Sequence, residues 1–372
     1  MRVHSRRVVT PAGTIDATVS VADGRITGVI PGRDGEAVSV GDRWLIPGLI
    51  DTHVHGGGGA QCNTSDPDEV AAVAAFHASH GTTSLLATTV SAGIDELESS
   101  LRAIRVAGVL GAHVEGPFLN PRRPGAMDPA SFLEPSASVI ERLLAAGGGR
   151  VSMMTLAPEL PGALQVIAAL AGRGVVASLG HSDAAYESAC AGVRAGARSV
   201  THLFNAMAPL HHRRPGLLGA ALDVENLRCE LICDGVHVDP VAMRLALRAK
   251  GPGGLRLITD AIAAAGMGDG EYRLGESAVV VRDGRATLPG DDVIAGSTLT
   301  MDAALANAVR WLGVTVEQAV AMASANPARL LGLDDRKGAI AAGYDADLAV
   351  LDEDLRACST MVAGRWVGGS PS

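Results

Sequence analysis

Residues 45–55 read LIPGLIDTHVH, and four later stretches follow the same plan: GVLGAHVEG at 108–116, VVASLGH at 175–181, SVTHLF at 199–204 and LRLITDA at 255–261. In each, a short apolar run leads into a histidine or a carboxylate. Three further apolar runs stand between them, TTSLLATTV at 82–90, VSMMTLAPE at 151–159 and LRCELICDG at 227–235. Ala-rich segments separate the runs, among them DPDEVAAVAAFHASHG at 66–81 and DAAYESACAGVRAGA at 183–197. One apolar run alone cannot be told from a buried turn of helix, but the alternation can. Buried strands alternating with helices point to an α/β chain, and eight such strands predict a (β/α)8 barrel, which here spans residues 47–333. A doubly wound open sheet is the rival, and the chain lacks the glycine fingerprint that such a sheet uses for a dinucleotide.

Both ends of the chain have a different rhythm. The first 45 or so residues alternate apolar and polar positions between turns at Ala22-Asp23-Gly24 and Pro31-Gly32, and GAIAAGYDADLAVLD at 338–352 and ACSTMVAGRWV at 357–367 do the same. Residues 1–46 and 334–372 are therefore expected to combine in one small β-sandwich domain.

Composition excludes several classes. Lys and Arg number 31 against 40 Asp and Glu, a net charge of −9 without a basic block, which argues against nucleic acid. No apolar stretch is long enough to span a membrane, and the start lacks a signal peptide's apolar block. The cysteines, Cys62, Cys190, Cys229, Cys233 and Cys358, form no CxxC pair, so neither a disulfide framework nor a thiolate metal site is expected. A cytoplasmic protein is the expectation.

The polar residues at the run ends carry the chemistry. His53, His55, Glu115, His181, His202, His237 and Asp260 would converge on one face of a barrel, where the loops after the strands build the site. His53 and His55, two apart in a strand, point to the same side. Imidazoles and a carboxylate with an open position make a catalytic rather than a closed structural metal set. Asp260 suits a general base beside a divalent ion. The cluster His211-His212-Arg213-Arg214 offers planar donors for an anionic group on a substrate. His4, His77, His80 and His113 lie away from the run ends and are read as structural. The spacing leaves open which bond is attacked, and whether the site is catalytic or belongs to an oligomeric scaffold.

Taken together, PGLIDTHVHG, HVEGPFLNP, LGHSDA, THLFNAM, HHRRPG, DGVHVDP, ITDA and AGSTLTMD resemble the amidohydrolase superfamily, and within it the N-acetylglucosamine-6-phosphate deacetylases, over nearly the whole chain. The resemblance implies a barrel with a small β-sandwich, and release of acetate from N-acetylglucosamine 6-phosphate by metal-activated water. It implies one or two divalent ions per subunit, zinc first, with iron or manganese as alternatives, and a homodimer. Glu115, His181 and His202 match the family's metal ligands, with His53 and His55 as further ligands, and Asp260 matches its acid/base. Asn205, Ala206, Arg213 and His237 match sugar-phosphate contacts, Arg213 reaching a neighbouring subunit. Ala126, Ile294, Ala295 and Gly296 complete the implied substrate set. Met127 stands where many members carry a histidine that polarises the acetyl carbonyl, and methionine has no N–H to donate. The competing enzyme reading, a hydrolase of cyclic amides, lacks the strand-end lysine that commonly bridges two ions.

Overall fold

Strands Leu49–Val54, Thr82–Thr89, Val109–Glu115, Val151–Leu156, Val176–Leu179, Ser199–Val200, Arg228–Ile232 and Leu255–Ile258 pair in parallel, each beside its neighbour in the chain. The computed structural model describes residues 1–369 and Pro371; Ser370 and Ser372, at the end of the segment assigned to the small domain, lie outside the described residues. The first strand meets the eighth at the top. The Asp260 amide donates to the His53 carbonyl at 2.9 Å, and the His55 amide to the Ala261 carbonyl at 2.8 Å. Below this seam Asp51 accepts a hydrogen bond from Thr259 Oγ1 at 2.5 Å. Burial pushes the Asp51 carboxyl up to about 7 against the pull of that hydroxyl. The alternation of apolar runs and Ala-rich segments is thus a nearly closed barrel with helices outside it.

Why these runs are strands follows from burial. Every residue of Leu49–Val54 and of Thr82–Thr89 is buried, because one face meets helices and the other fills the lumen. Helix Pro67–Ser79 starts where Asp66 accepts the Asp68 amide and proline takes the first turn, and it buries Val70, Val73, Ala74 and Ala78. A fully buried valine such as Val73 contributes about 1.5–3 kcal/mol relative to exposure.

The lumen departs from the usual aliphatic filling of such barrels. Thr155 and Thr201 hydroxyls lie 2.7 Å apart, Ser178 bonds both Thr201 and Ser199, and His113 bonds the Thr52 carbonyl and Thr155 Oγ1. Deeper still, buried Arg256 donates from Nη2 to Ser199 Oγ at 2.9 Å and to Glu230 Oε1 at 3.1 Å.

Both ends of the chain contribute to a second sheet of eight strands, running 365–367, 357–362, 348–351, 44–47, 2–10, 13–22, 25–31, with 38–39 beside 2–10. Its edge strand 25–31 bonds the segment that leads into strand 348–351: the Ile26 amide donates to the Tyr344 carbonyl and the Ala346 amide to the Gly24 carbonyl, both at 2.8 Å. Val3, Val19, Leu45, Leu348 and Met361 fill the space inside. Between the eighth barrel strand and helix Met301–Asn307 lies an insertion that the apolar runs did not announce. Strands Gly270–Leu274, Ser277–Arg282 and Arg285–Thr287 form an antiparallel sheet over the barrel mouth.

Candidate metal centre and active site

The barrel strands end where the polar residues begin, so the mouth is built from positions adjacent in space but far apart in sequence. Glu115 closes the third strand, and His181 and His202 follow the fifth and sixth. His181 Nε2, His202 Nε2 and Glu115 Oε1 form a triangle with edges of 3.1, 3.0 and 3.1 Å. Two ligands about 2.05 Å from a tetrahedral ion would stand about 3.3 Å apart. A second group lies beside it. His53 Nε2 and His55 Nε2 are 3.1 Å apart, and Asp260 Oδ1 is 3.4 Å from the first and 3.1 Å from the second. Glu115 Oε2 faces the same pair at 3.5 and 3.3 Å. One carboxylate therefore presents one oxygen to each group.

The ring nitrogens show what the mouth is built to hold. His181 Nδ1 donates to the Arg123 carbonyl at 2.9 Å and His55 Nδ1 to the Thr88 carbonyl at 3.1 Å. His53 Nδ1 is 3.0 Å from Glu230 Oε2. A neutral imidazole that donates from Nδ1 carries a lone pair on Nε2. These Nε2 atoms face one another and the carboxylates at the distances above, so their lone pairs repel unless a cation sits between them. Carbonyls and a carboxylate behind the rings are the usual outer partners of metal-bound histidine. The donor set fits a divalent cation, and Glu115, His181, His202, His53, His55 and Asp260 are the residues that could hold it.

The carboxylates favour positive charge in the mouth, whether it comes as a cation or as a proton on an imidazole. Burial opposes a charge on His53 most strongly, yet Glu115, Asp260 and Glu230 outweigh it and hold its pKa well above the ordinary value. Burial likewise works against ionised Asp260, but His53 and His55 prevail and bring it down to about 2. His113 forms a further cluster with His53 and Glu230. Both its nitrogens are already paired, and burial with the neighbouring His53 charge pushes it down to about 3. Its place is structural.

The backbone is strained just where the ligand atoms are. His181, His202 and Asp260 have φ of 46°, 28° and 51°, and Phe204 and Ala206 of 79° and 50°. Such conformations cost non-glycine residues about 1–3 kcal/mol each and gather at functional sites. Gly296 has φ of 62° and lies so close that a Cβ would stand 2.4 Å from Ile262 Cγ2. No larger residue fits there.

A cavity of about 310 Å³ opens over the two groups. Ala126, Asn205, Ala206, His237, Ile294 and Gly296 line it, as do Glu115, His181, His202, His55 and Asp260. Ala295 does not; it is fully buried behind the wall, its amide on the Ala286 carbonyl. Arg213 lies outside this cavity, exposed, with Nη1 2.8 Å from His212 Nε2. Met127 and Leu274 of the inserted sheet's core form part of the wall. Asp234 Oδ2 holds His237 Nδ1 at 2.7 Å, and Glu159 ties together Asn120, Ser182 and the Asp183 amide beside His181. The run Gly56–Gly59 is no loose loop: its amides at Gly56, Gly58 and Gly59 bond carbonyls of Ala261, Ala265 and Ala263.

Sequence reasoning missed Glu230 and Arg256. Each is a charge inside an apolar run, LRCELICDG and LRLITDA, and that was the available signal. A buried charge is costly unless paired, so each implied a partner.

Fold and donors together define a hydrolase-type (β/α)8 barrel with cation-ligating groups at its mouth. The chain belongs to the amidohydrolase family, whose model matches residues 44–371. It is 40% identical to the N-acetylglucosamine-6-phosphate deacetylase of Lysinibacillus sphaericus, over 87% of this chain and 85% of that one. It is 38% identical to the N-acetylgalactosamine-6-phosphate deacetylase of Escherichia coli O157:H7, over 98% of each chain. A solved mutant N-acetyl-D-glucosamine-6-phosphate deacetylase from Mycobacterium smegmatis, in complex with N-acetyl-D-glucosamine-6-phosphate, superposes with a TM-score of 0.95 at 41% identity, over 99% of both chains.

Proposed function

We propose that the chain hydrolyses the acetamide of N-acetylglucosamine 6-phosphate, leaving glucosamine 6-phosphate and acetate. The observation that carries this reading is Glu115, one oxygen toward His181 and His202 and the other toward His53 and His55, with Asp260 beside the second pair. The first group would hold one divalent cation and the second group another, zinc being our choice for both. When bound, such ions acidify water and polarise an amide carbonyl, which compensates for the donor that Met127 cannot supply.

The chain's own groups handle the proton and the pose. Asp260 turns Oδ1 toward the imidazoles, leaving Oδ2 to accept the proton of the attacking water. As oxygen bonds to the carbonyl carbon and the C–N bond breaks, Asp260 returns that proton to the departing nitrogen. Asn205, the Ala206 backbone and His237 hold the sugar phosphate, with Ala126, Ile294 and Gly296 against the ring, so that the acetamide reaches the mouth in one orientation. Among the described residues no lysine or arginine lines the cavity. We therefore assign the phosphate's counter-charge to Arg213 of a second copy in a homodimer. Five unpaired cysteines support a reducing, cytoplasmic setting; among the described residues no helix is long and apolar enough to cross a membrane.

The test is acetate release by the zinc-loaded protein from N-acetylglucosamine 6-phosphate, beside its galacto epimer. The gluco substrate is expected to turn over with the higher kcat/KM. A preference for the epimer would shift the assignment to the activity of the Escherichia coli relative, and no release from either would refute the deacetylase reading. Mixing Arg213→Ala subunits with Asp260→Asn subunits tests the dimer. An arginine acting across the interface restores activity in the mixture, whereas one acting within its own chain leaves both populations impaired.

A further inference from the structure

The opposite end of the barrel has a cavity too. It measures about 840 Å³, and Arg198, Arg228, Arg256 and Arg329 line it together with Asn226 and Asn326. Arg198 immediately precedes the sixth strand, Arg228 opens the seventh and Arg256 is the second residue of the eighth. The cavity therefore lies at the N-terminal face, away from the cation-ligating mouth. No carboxylate is among its lining residues.

The partners of these arginines are few. Arg228 Nη1 donates to the Gly253 carbonyl, and Arg329 is 3.9 Å from Asp334. Arg198 and Arg329 are exposed, and Arg198 makes no side-chain bond to another described residue. Arg256 is 1% exposed, its Nη2 holds Ser199 and Glu230, and its Nε and Nη1 have no partner. Buried, unpartnered donors on a guanidinium cost about 1–3 kcal/mol or more unless something accepts from them. Arg256 is among the residues that line the cavity, so an acceptor at its floor, a water or a phosphate oxygen, is the candidate partner.

We propose that this basal cavity is a binding site for a phosphate-bearing small molecule. Guanidinium groups recognise phosphate by paired, charge-assisted hydrogen bonds, and a dianion would be met by one buried arginine and three more exposed ones. Gly174, Gly196 and Gly253 leave room at the wall for a sugar-sized body. Arg256 also bonds Glu230, whose other oxygen holds His53, so the floor of this site adjoins the ligand set of the mouth.

The experiment titrates inorganic phosphate and, separately, glucosamine 6-phosphate into the zinc-loaded protein by calorimetry. It uses wild type, Arg198→Ala/Arg329→Ala and Arg256→Met. The double variant removes only exposed side chains and is expected to keep its fold and its KM. Wild type is expected to show a phosphate site beyond the catalytic one, and the double variant to bind there at least tenfold more weakly. Tighter binding of the sugar phosphate at that site identifies an organic phosphate as the natural occupant, and equal binding identifies free phosphate. Identical titrations for wild type and the double variant would overturn the proposal and make water the partner of Arg256, whether or not Arg256→Met folds.

Discussion

The two ends of the barrel are chemical opposites built on the same strands. At the C-terminal mouth, four imidazoles and two carboxylates turn ligand atoms toward one another, an arrangement that suits positive charge. At the N-terminal end, four guanidinium groups line a cavity with no carboxylate among its described lining residues, an arrangement that favours an anion. Between them runs a hydrogen-bonded thread, Arg256 to Glu230 to His53. The contrast shows that a barrel lumen can carry charge from end to end when buried charges pair with one another. It also separates two kinds of substitution: those at the mouth should lower turnover, and those on the thread should lower stability.

The largest effect belongs to the mouth. Asp260→Asn removes the proton acceptor while keeping the shape, and kcat is expected to fall by roughly 10³-fold or more, about 4 kcal/mol in barrier. The ion held by Glu115, His181 and His202 should stay, and elemental analysis beside the acetate assay checks both. Unchanged turnover would assign the proton to another group.

Next comes the thread. Glu230→Gln leaves the buried Arg256 guanidinium without its counter-charge, and breaking such a pair costs about 3–5 kcal/mol. Denaturant unfolding should show that loss. A change under about 1 kcal/mol would mean that Arg256 finds another acceptor below the strands.

A smaller effect depends on pH. Burial drives His77 down to about 4, below its ordinary 6.5, and its Nε2 donates to the Gly56 carbonyl at 2.9 Å. The folded state therefore holds this ring neutral, and its contribution is complete above pH 6.5. As pH falls from 6.5 to 4 the unfolded chain takes up the proton first, and about 3 kcal/mol is lost across that window. His77→Gln can keep the donor without the titration, so its stability should fall less steeply over the same range. Parallel profiles would show that His77 takes up its proton as readily in the fold as in the unfolded chain, which would contradict this account.

The smallest effect is the control. Arg198→Ala, exposed at the lower end, should change stability by less than about 0.5 kcal/mol. A large loss would make the arginine cavity a structural element rather than a binding surface.

What the sequence disclosed follows the same division. Strand-end residues such as Glu115 and His202 are legible because each interrupts an apolar run at the point where a strand must stop. The barrel itself is legible from the alternation of runs and Ala-rich segments. Glu230 and Arg256 were overlooked because a charge inside a run is outvoted by its apolar neighbours, and pairing across 26 positions leaves no local mark. The sheet at 270–287 was overlooked for another reason: its strands are short and partly exposed, so their period is faint. Ala295 and Arg213 show the converse, since motif position says nothing about which side of a wall a side chain occupies.

Metal titration of stripped protein addresses the mouth most directly, comparing wild type with Glu115→Gln and His55→Asn. If Glu115 serves both groups, wild type takes up two ions per chain, His55→Asn one, and Glu115→Gln binds neither tightly. Full and tight loading of Glu115→Gln would contradict the shared-carboxylate centre on which the catalytic reading stands.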